Sequence, residues 1–406
     1  VYSWVPSEVQ EKILAVCRDH LSENGIAYVS YNTYPGWYLR QGVREMMSYH
    51  AEGFSDTQEK IDQSRALVDF LAGAVQPQAD AYEKLLHEEL SILRSSEDSY
   101  IFHEHLEDYN EPVFFHQFVS RAEDSSLRFL CEAQFGSMIA SDYSEETQAT
   151  LAKIAPDIIR MEQYMDFLRN RKFRQTLLCH RDVKLDRVIK PERLRHLYIN
   201  APLIAQELEA TDDTAGGKVF DHASGQRLTV HHPLQEAALQ HLSEAWPCDV
   251  SIEELVDIAR DSLPRAERPN REACCQELYE TFLELYSASL VSLFASPSGC
   301  VADLRDMPLA SPLTRYQAER GNAVTNRRHE TVRVDEFERE ILKRLDGDQT
   351  IDQITEMLLE LSVTIQSDGD GTESGSEPTK PTHQELRAVV ERSLSRLAQS
   401  ALLIAP

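Results

Sequence analysis

The chain has 406 residues, of which 42% are hydrophobic and 27% charged, so it can bury the cores of several domains and is not broadly disordered. Its formal net charge of -27 disfavours nonspecific binding to nucleic acid or anionic lipid, because both need a cationic surface. The seven cysteines include no C-x-x-C pair, which indicates neither a zinc site nor a disulfide framework and favours a reducing, cytoplasmic location. No stretch is apolar for long enough to span a bilayer.

The first part of the chain predicts a strand, a helix and a second strand, which is the pattern of a parallel α/β sheet. Val1 to Val5 resembles the end of a strand, and an amphipathic helix then runs from Pro6 until Gly25 stops it. The apolar and aromatic run from Ile26 to Tyr31 predicts a buried strand.

The loop after this second strand is a candidate binding site. It turns through Pro35 and Gly36 beyond the carboxyl end of the strand, which is where ligands bind in parallel α/β sheets. Its candidate substrate-binding side chains are Tyr31, Asn32, Tyr34 and Trp37. The alternative is that these aromatic rings cap the sheet and contact no ligand.

Helical periodicity from about residue 38 to residue 97 predicts a helical insertion, and strand-like sequence returns at Tyr100–Leu106 and at Leu127–Ala133. On the first of these strands His103 and His105 would share a face. No third ligand lies at a matching position, so we expect no metal there. His105 is instead a candidate for contact with substrate, and the alternative is a histidine hydrogen-bonded into the fold.

A helical segment is predicted from Ser144 to about His180, and it carries the one compact basic cluster of this acidic chain. The cluster consists of Arg169, Arg171, Lys172 and Arg174. It could contact nucleic acid or form salt bridges with nearby carboxylates. The net charge favours the salt bridges, and we expect no nucleic-acid partner.

The last half of the chain repeats the order helix, short helix, helix, terminal strand, which suggests two winged-helix-like domains at 211–300 and 301–406. Thr382 and Glu385 have the spacing of a capping box at the start of the last helix. The helices of both copies are acidic, which favours contacts with protein over contacts with phosphate. Residues 366–382 lack apolar periodicity and predict a disordered acidic loop.

Three stretches resemble a group of bacterial class I methyltransferases that use S-adenosylmethionine. These are Val1–Pro6 with Ala27–Trp37, Tyr164–Leu178, and Leu342–Gly347. Members of the group combine a methyltransferase domain with a methyltransferase regulatory domain and a winged-helix-like tail, and some of them methylate lysine in outer-membrane proteins. The resemblance therefore implies a methyltransferase that acts on a protein substrate.

The resemblance also implies an α/β plus α fold. Residues 1–136 would form the C-terminal half of a class I, Rossmann-like sheet, with the helical insertion at 38–97, and 137–210 a helical regulatory region. Val1–Trp4 would end the fourth strand and Ile26–Tyr31 would be the fifth. Tyr100–Leu106 and Leu127–Ala133 would be the sixth and the antiparallel seventh.

The resemblance places the methyl donor across the strand ends, where Tyr2 and Trp4 are the candidate cofactor-binding residues. The Gly-rich loop that holds most of the donor in this group has no counterpart in the sequence. Because the chain also begins with Val1 inside an apolar run, we expect a fragment whose donor-binding half precedes it. Alone, this fragment is expected neither to bind the donor well nor to transfer methyl groups.

Two other classes of function compete with an enzyme. A non-catalytic interaction module would explain the missing donor loop and the long tail, and a DNA-binding regulator would explain the winged-helix pattern but not the acidic helices. The sequence upstream of Val1 separates the first two classes, because a strand followed by a Gly-rich turn there would favour the enzyme.

Overall fold

The computed structural model describes residues 1–74, 81–206, 217–302, 304–367 and 382–405, with only the backbone described for 361–367. Contacts divide the chain into two compact units, Val1–Val188 and Ile189–Pro406. The predicted disordered loop, 366–382, lies outside the described residues apart from its two ends.

The first unit is a small sheet with helices around it. Its helices are α1 (Ser7–His20), α2 (Trp37–Ala51), α3 (Thr57–Ala74), α4 (Ala81–Ser95), α5 (Asp98–Ile101), α6 (Phe115–Asp124), α7 (Glu145–Ile154) and α8 (Ile158–Arg169), and its strands are β1 (Ala27–Asn32), β2 (Leu127–Glu132) and β3 (Phe173–His180). The sheet order is β1-β3-β2, and β3 is antiparallel to both neighbours. The outer strands β1 and β2 are therefore parallel to each other.

The central strand β3 corrects the prediction of a helix that continues to His180. Helix α8 ends at Asn170, whose left-handed conformation (φ 48°, ψ 49°) is one that asparagine tolerates better than most residues. Beyond this turn, side chains alternate between the interior and the surface, as a strand requires. The strand that runs opposite to the other two is β3, whereas β2 is parallel to β1. The prediction that Leu127–Ala133 is the antiparallel strand of the sheet was therefore also wrong.

Two further strand predictions were wrong. Tyr100–Leu106 is helical, since α5 continues as a π-helix over Phe102–Leu106, and Tyr2–Trp4 forms a single 3-10 turn. The apolar residues of Tyr100–Leu106 pack against the preceding helices rather than in the sheet, with Ile101 in the same core cluster as Val43 and Leu90. The stretch predicted as a helical insertion contains the helices α2, α3 and α4.

The second unit has two hydrophobic cores. Its strands are β4 (Tyr198–Asn200), β5 (Leu203–Gln206), β6 (Lys218–His222), β7 (Arg227–Val230), β8 (Val250–Ser251), β9 (Ser292–Phe294), β10 (Ala323–Thr325) and β11 (Thr331–Arg333), and its helices are α9 (Pro233–Ala245), α10 (Ile252–Ser262), α11 (Arg271–Ser287), α12 (Pro312–Arg320), α13 (Glu336–Leu342), α14 (Ile351–Ser367) and α15 (His383–Gln399). The predicted capping box at Thr382 and Glu385 is confirmed. Strands β4 to β7 were not predicted, because each is only three to five residues long.

A buried charge cluster joins α8 to the sheet in the first unit. The guanidinium of Arg174 on β3 is fully buried and donates to Glu132 on β2 at 2.7 Å and to both carboxylate oxygens of Asp166 on α8 at 2.9 Å. It also donates to Glu162 at 3.1 Å, and Arg171 pairs with Asp166 at 2.9 Å. The salt-bridge interpretation of the basic cluster is therefore confirmed for these arginines.

We expect Arg174→Met to lower the free energy of unfolding by about 3–5 kcal/mol, because it leaves three buried carboxylates with one remaining arginine. Arg18→Met is the matched control, since the Arg18–Asp19 pair has exposed side chains (44% and 54%) and should contribute less than about 0.5 kcal/mol. Urea unfolding followed by circular dichroism measures both effects. Equal losses in the two variants would contradict the assigned role of the cluster.

Candidate functional site

The loop after β1 is held from two sides by backbone hydrogen bonds. The amides of Thr33 and Gly36 each donate at 3.0 Å to the turn after α8, to the carbonyl oxygens of Lys172 and Arg171 respectively. On the other side the Thr33 hydroxyl donates to the carbonyl oxygen of Val113 at 2.7 Å. The loop therefore has a fixed position between two chain segments of the first unit.

Gly36 is needed because the backbone of the turn after α8 passes close to it. A Cβ at this position would lie 2.2 Å from the carbonyl oxygen of Asn170 and 2.6 Å from the carbonyl carbon of Arg171. These atoms belong to the backbone, so they cannot move aside as a flexible side chain would. The sequence Pro35-Gly36 thus specifies the close approach of the loop to the turn.

A buried polar cluster lies at the carboxyl end of β1. The Trp4 indole N–H donates to the Glu104 carboxylate at 2.8 Å, and the Asn110 amide donates to the Glu104 carbonyl oxygen at 2.8 Å. The Asn32 side-chain amide donates to Asn110 Oδ1 at 3.1 Å, and the backbone N–H of Asn32 donates to the Ser3 hydroxyl at 2.9 Å. We call these five residues the polar cluster.

The Glu104 carboxyl group is the titratable group of the polar cluster. Its side chain is almost fully buried, and this burial raises its pKa, an effect that hydrogen bonds from Trp4 and Asn32 partly offset. A carboxylate with a raised pKa accepts protons better than an exposed one, so the cluster is suited to receive a proton from a bound group.

His105 lies in the fold and not at an open surface. Burial, together with the nearby charges of Arg40 and Arg44, lowers its pKa to about 3, and the ring is therefore neutral near pH 7. Within the described residues its Nδ1 has no hydrogen-bond partner. Its predicted contact with substrate is not supported by this position and stays a prediction.

The other predicted site residues fall into two groups. Tyr2, Tyr31 and Trp37 have at most 2% of their surface exposed, and the rings of Tyr2 and Tyr31 pack on Phe118. For these three the packing interpretation is the simpler one. Asn32 and Trp4 meet in the polar cluster, whereas Tyr34 is half-buried in the loop and stacks on a neighbouring tyrosine.

Glu104 and Asn110 were missed by the sequence analysis. Both lie in or just after the segment predicted as a strand, where His103 and His105 are the more conspicuous residues. In the observed helical turn Glu104 faces inward, while His103 stacks on the Trp4 ring at 5.6 Å. A carboxylate within an otherwise apolar and aromatic segment was the available signal.

The described residues meet neither the requirements of a metal site nor those of a membrane-spanning helix. No group of three or more His, Cys, Asp or Glu side chains there is arranged to hold a metal ion. No helix among the same residues is both long enough and apolar enough to cross a bilayer.

We expect Gly36→Ala to lower the free energy of unfolding by about 1–3 kcal/mol, because the added Cβ displaces the loop or the turn after α8. Gly42→Ala is the matched control. Gly42 lies inside α2, and among the described residues no atom outside the local helix backbone lies within 4 Å of the place that its Cβ would occupy, so alanine should stabilise the helix by about 0.5–1 kcal/mol. Urea unfolding compares the two. A stabilising Gly36→Ala would refute the close approach.

Two family models match the chain. The predicted methyltransferase regulatory domain matches residues 97–180, and the PKMT C-terminal winged helix domain matches residues 306–402. The first match begins well before the predicted regulatory region, 137–210, and the second lies inside the predicted domain 301–406.

Two relatives cover the whole chain. An uncharacterised protein of Rickettsia prowazekii (strain Madrid E) is 30% identical over 415 aligned residues, which are 100% of this chain and 73% of that protein. The structure of PKMT2 from Rickettsia typhi in complex with AdoHcy has a TM-score of 0.85 and 29% identity, covering 100% of this chain and 80% of that one. A second uncharacterised Rickettsia prowazekii protein is 41% identical over 130 residues, 32% of this chain and 52% of that protein.

Proposed function

Because the chain belongs to the family of methyltransferases that carry a regulatory domain and the C-terminal winged helix domain of PKMT, we propose that it is part of an S-adenosylmethionine-dependent enzyme that methylates lysine side chains of proteins. The observation that supports this most is the agreement of the whole chain with PKMT2 from Rickettsia typhi, at a TM-score of 0.85. That structure holds AdoHcy, the product left when S-adenosylmethionine loses its methyl group.

The architecture of the first unit suits this proposal. We infer that β1, β2 and β3 are the fifth, sixth and seventh strands of a class I methyltransferase sheet, since the seventh is expected to be antiparallel and β3 is antiparallel to both neighbours. In the second unit, residues 211–300 would be a further winged-helix-like domain. Both domains of the tail would act in substrate recognition and not in the chemistry.

We propose that the polar cluster is the place where the acceptor lysine loses its proton. An amine attacks a methyl group only in its neutral form, so the ammonium must first lose a proton and water must be excluded. We assign the proton acceptor to Glu104 and the positioning of the amine to the Asn32 amide oxygen. The half-buried Trp4 ring can attract the cationic form of the lysine. Tyr31 and Trp37 would support this wall from the core.

The donor is a poorer fit to these residues. S-adenosylmethionine supplies the electrophilic methyl group when bound. The sequence has no Gly-x-Gly-x-Gly turn, and Tyr2, the residue assigned to the donor with Trp4, packs in the core. The chain spans 73% and 80% of two longer relatives. We therefore propose that most donor contacts come from sequence outside these 406 residues.

Glu104→Gln, made in the full gene product, should lower kcat by at least about 100-fold while the free energy of unfolding is kept. The glutamine can still accept the Trp4 hydrogen bond but cannot take a proton. Because burial raises the pKa of Glu104 above its ordinary 4.5, the wild-type rate should rise with pH above that value as the carboxylate ionises, and the variant should lack this rise. The assay is transfer of radiolabelled methyl groups to a lysine-containing polypeptide.

Glu107→Gln is the matched control for this variant. Glu107 lies one residue beyond the same π-helix, and its carboxylate contacts His103 outside the polar cluster. Its kcat should stay within about twofold of the wild-type value. Wild-type turnover in Glu104→Gln would remove the assigned proton acceptor, and equal losses in both variants would indicate a structural effect.

Calorimetry with S-adenosylmethionine tests the function itself. We expect the full gene product to bind with a Kd in the micromolar range of about 1–100 μM, and the 406-residue chain to bind at least about 100-fold more weakly. Equal binding by the two would overturn the assignment of donor contacts to sequence outside the chain. Binding by neither would favour the competing function, a non-catalytic module that binds a protein partner.

A further inference from the structure

Helix α8 buries two carboxylates beside the apolar Met165 and exposes two large apolar side chains. Its carboxylates Glu162 and Asp166 are fully buried, whereas Phe167 and Leu168 each have 48% of their surface exposed. The buried carboxylates are held by Arg174, so the helix cannot rotate to bury its apolar pair instead. Two adjacent large apolar side chains on a surface mark a contact site more often than a single one does.

The exposed pair continues a row of rings that begins in the loop after β1. The ring of Tyr34 lies 5.4 Å from that of Phe114, which lies 6.2 Å from Phe167, which in turn lies 6.1 Å from Tyr164. We call these four side chains the aromatic row. Its first member lies two residues beyond Asn32 of the polar cluster, so the row leads from the proposed acceptor site to α8.

A groove between α7 and α8 adjoins the far end of the row. Its volume is about 290 Å³, and Tyr164, Phe167 and Leu168 form one wall. Of all its lining residues one is charged, the carboxylate of Glu146. The volume is at the low end for ligand sites, which suits one or two side chains better than a whole helix.

We propose that the aromatic row and this groove bind the acceptor polypeptide, with a large apolar side chain of the substrate in the groove. This inference rests on the proposed function, because it takes the polar cluster as the place of the lysine. Two ring-to-ring steps of 5.4 and 6.2 Å lead from Tyr34 to Phe167. An extended chain rises about 3.3 Å per residue, so it would cover this path in about three to four residues.

Charge agrees with a lysine-containing segment as the occupant. The groove offers a carboxylate and no cation among its lining residues, and the whole chain carries a net charge of -27. Aromatic faces attract the cationic side chains that would flank the apolar anchor. An anionic partner would gain neither interaction.

Fluorescence anisotropy of labelled peptides on the full gene product tests the proposal without methyl transfer. The probes are unstructured Gly/Ser peptides with one lysine and one phenylalanine four positions to either side, compared with the same peptides carrying serine in place of phenylalanine. The phenylalanine peptide in at least one direction should bind about tenfold more tightly. Phe167→Ala and Leu168→Ala should each remove most of that preference.

Phe70→Ala is the matched control, because Phe70 is an equally aromatic residue of the same unit with 68% of its surface exposed. It should leave the preference unchanged. No preference for phenylalanine in the wild type, or the same loss in Phe70→Ala, would overturn the proposal. The occupant could instead be a second copy of the chain. In that case the molecular mass in solution would fall from dimer to monomer in Phe167→Ala, and this result would likewise overturn the proposal.

Methyl-transfer assays on the same peptides separate this inference from the proposed function. If both hold, Phe167→Ala raises KM for the phenylalanine peptide about tenfold and leaves its kcat within about twofold. If peptides bind with the expected preference but no methyl group is transferred, the groove stands and the assigned reaction fails.

Discussion

The ion pairing of Arg174 is the interaction on which the first unit depends. A guanidinium with no exposed surface needs carboxylates around it, and these come from β2 and from α8. Replacing water by these partners repays the cost of burying charge only when every group is paired. The same requirement fixes the rotation of α8 and its distance from the sheet. Few arrangements of the helix would satisfy three carboxylates at once, so the cluster specifies one.

The cluster acts on the candidate site through the turn after α8. Arg171 contacts the cluster with its side chain, while its carbonyl oxygen accepts the amide of Gly36. Lys172 in the same turn accepts the amide of Thr33 and pairs with Glu89 of the helical insertion. The loop after β1 therefore takes its position from electrostatics several residues away. Under the proposed function, a loop held in this way would favour alignment of the reacting groups.

Local patterns were sufficient where side-chain periodicity and turn residues agreed. β1, the insertion helices and the capping box at Thr382 follow from such patterns. They failed at β3 because Arg174 sits at an inward position of a strand, where an apolar residue is expected, and its partner on the neighbouring strand, Glu132, lies 42 positions earlier. Glu104 was missed for a related reason: its burial depends on Trp4, 100 positions earlier. Pairings of this kind are decided by tertiary structure and not by local preference.

The arrangement of buried and exposed residues on α8 links stability to the proposed recognition. Glu162 and Asp166 are buried on this helix with Met165, whereas Phe167 and Leu168 lie on its exposed side. Adjacent exposed apolar side chains are candidates for a contact site. The aromatic row connects this exposed surface with Tyr34, which lies two residues beyond Asn32 of the polar cluster. Arg174 thus fixes the rotation of α8 and, through the turn after this helix, the position of the loop after β1. Under the proposed function, the exposed side of α8 would contact the acceptor polypeptide.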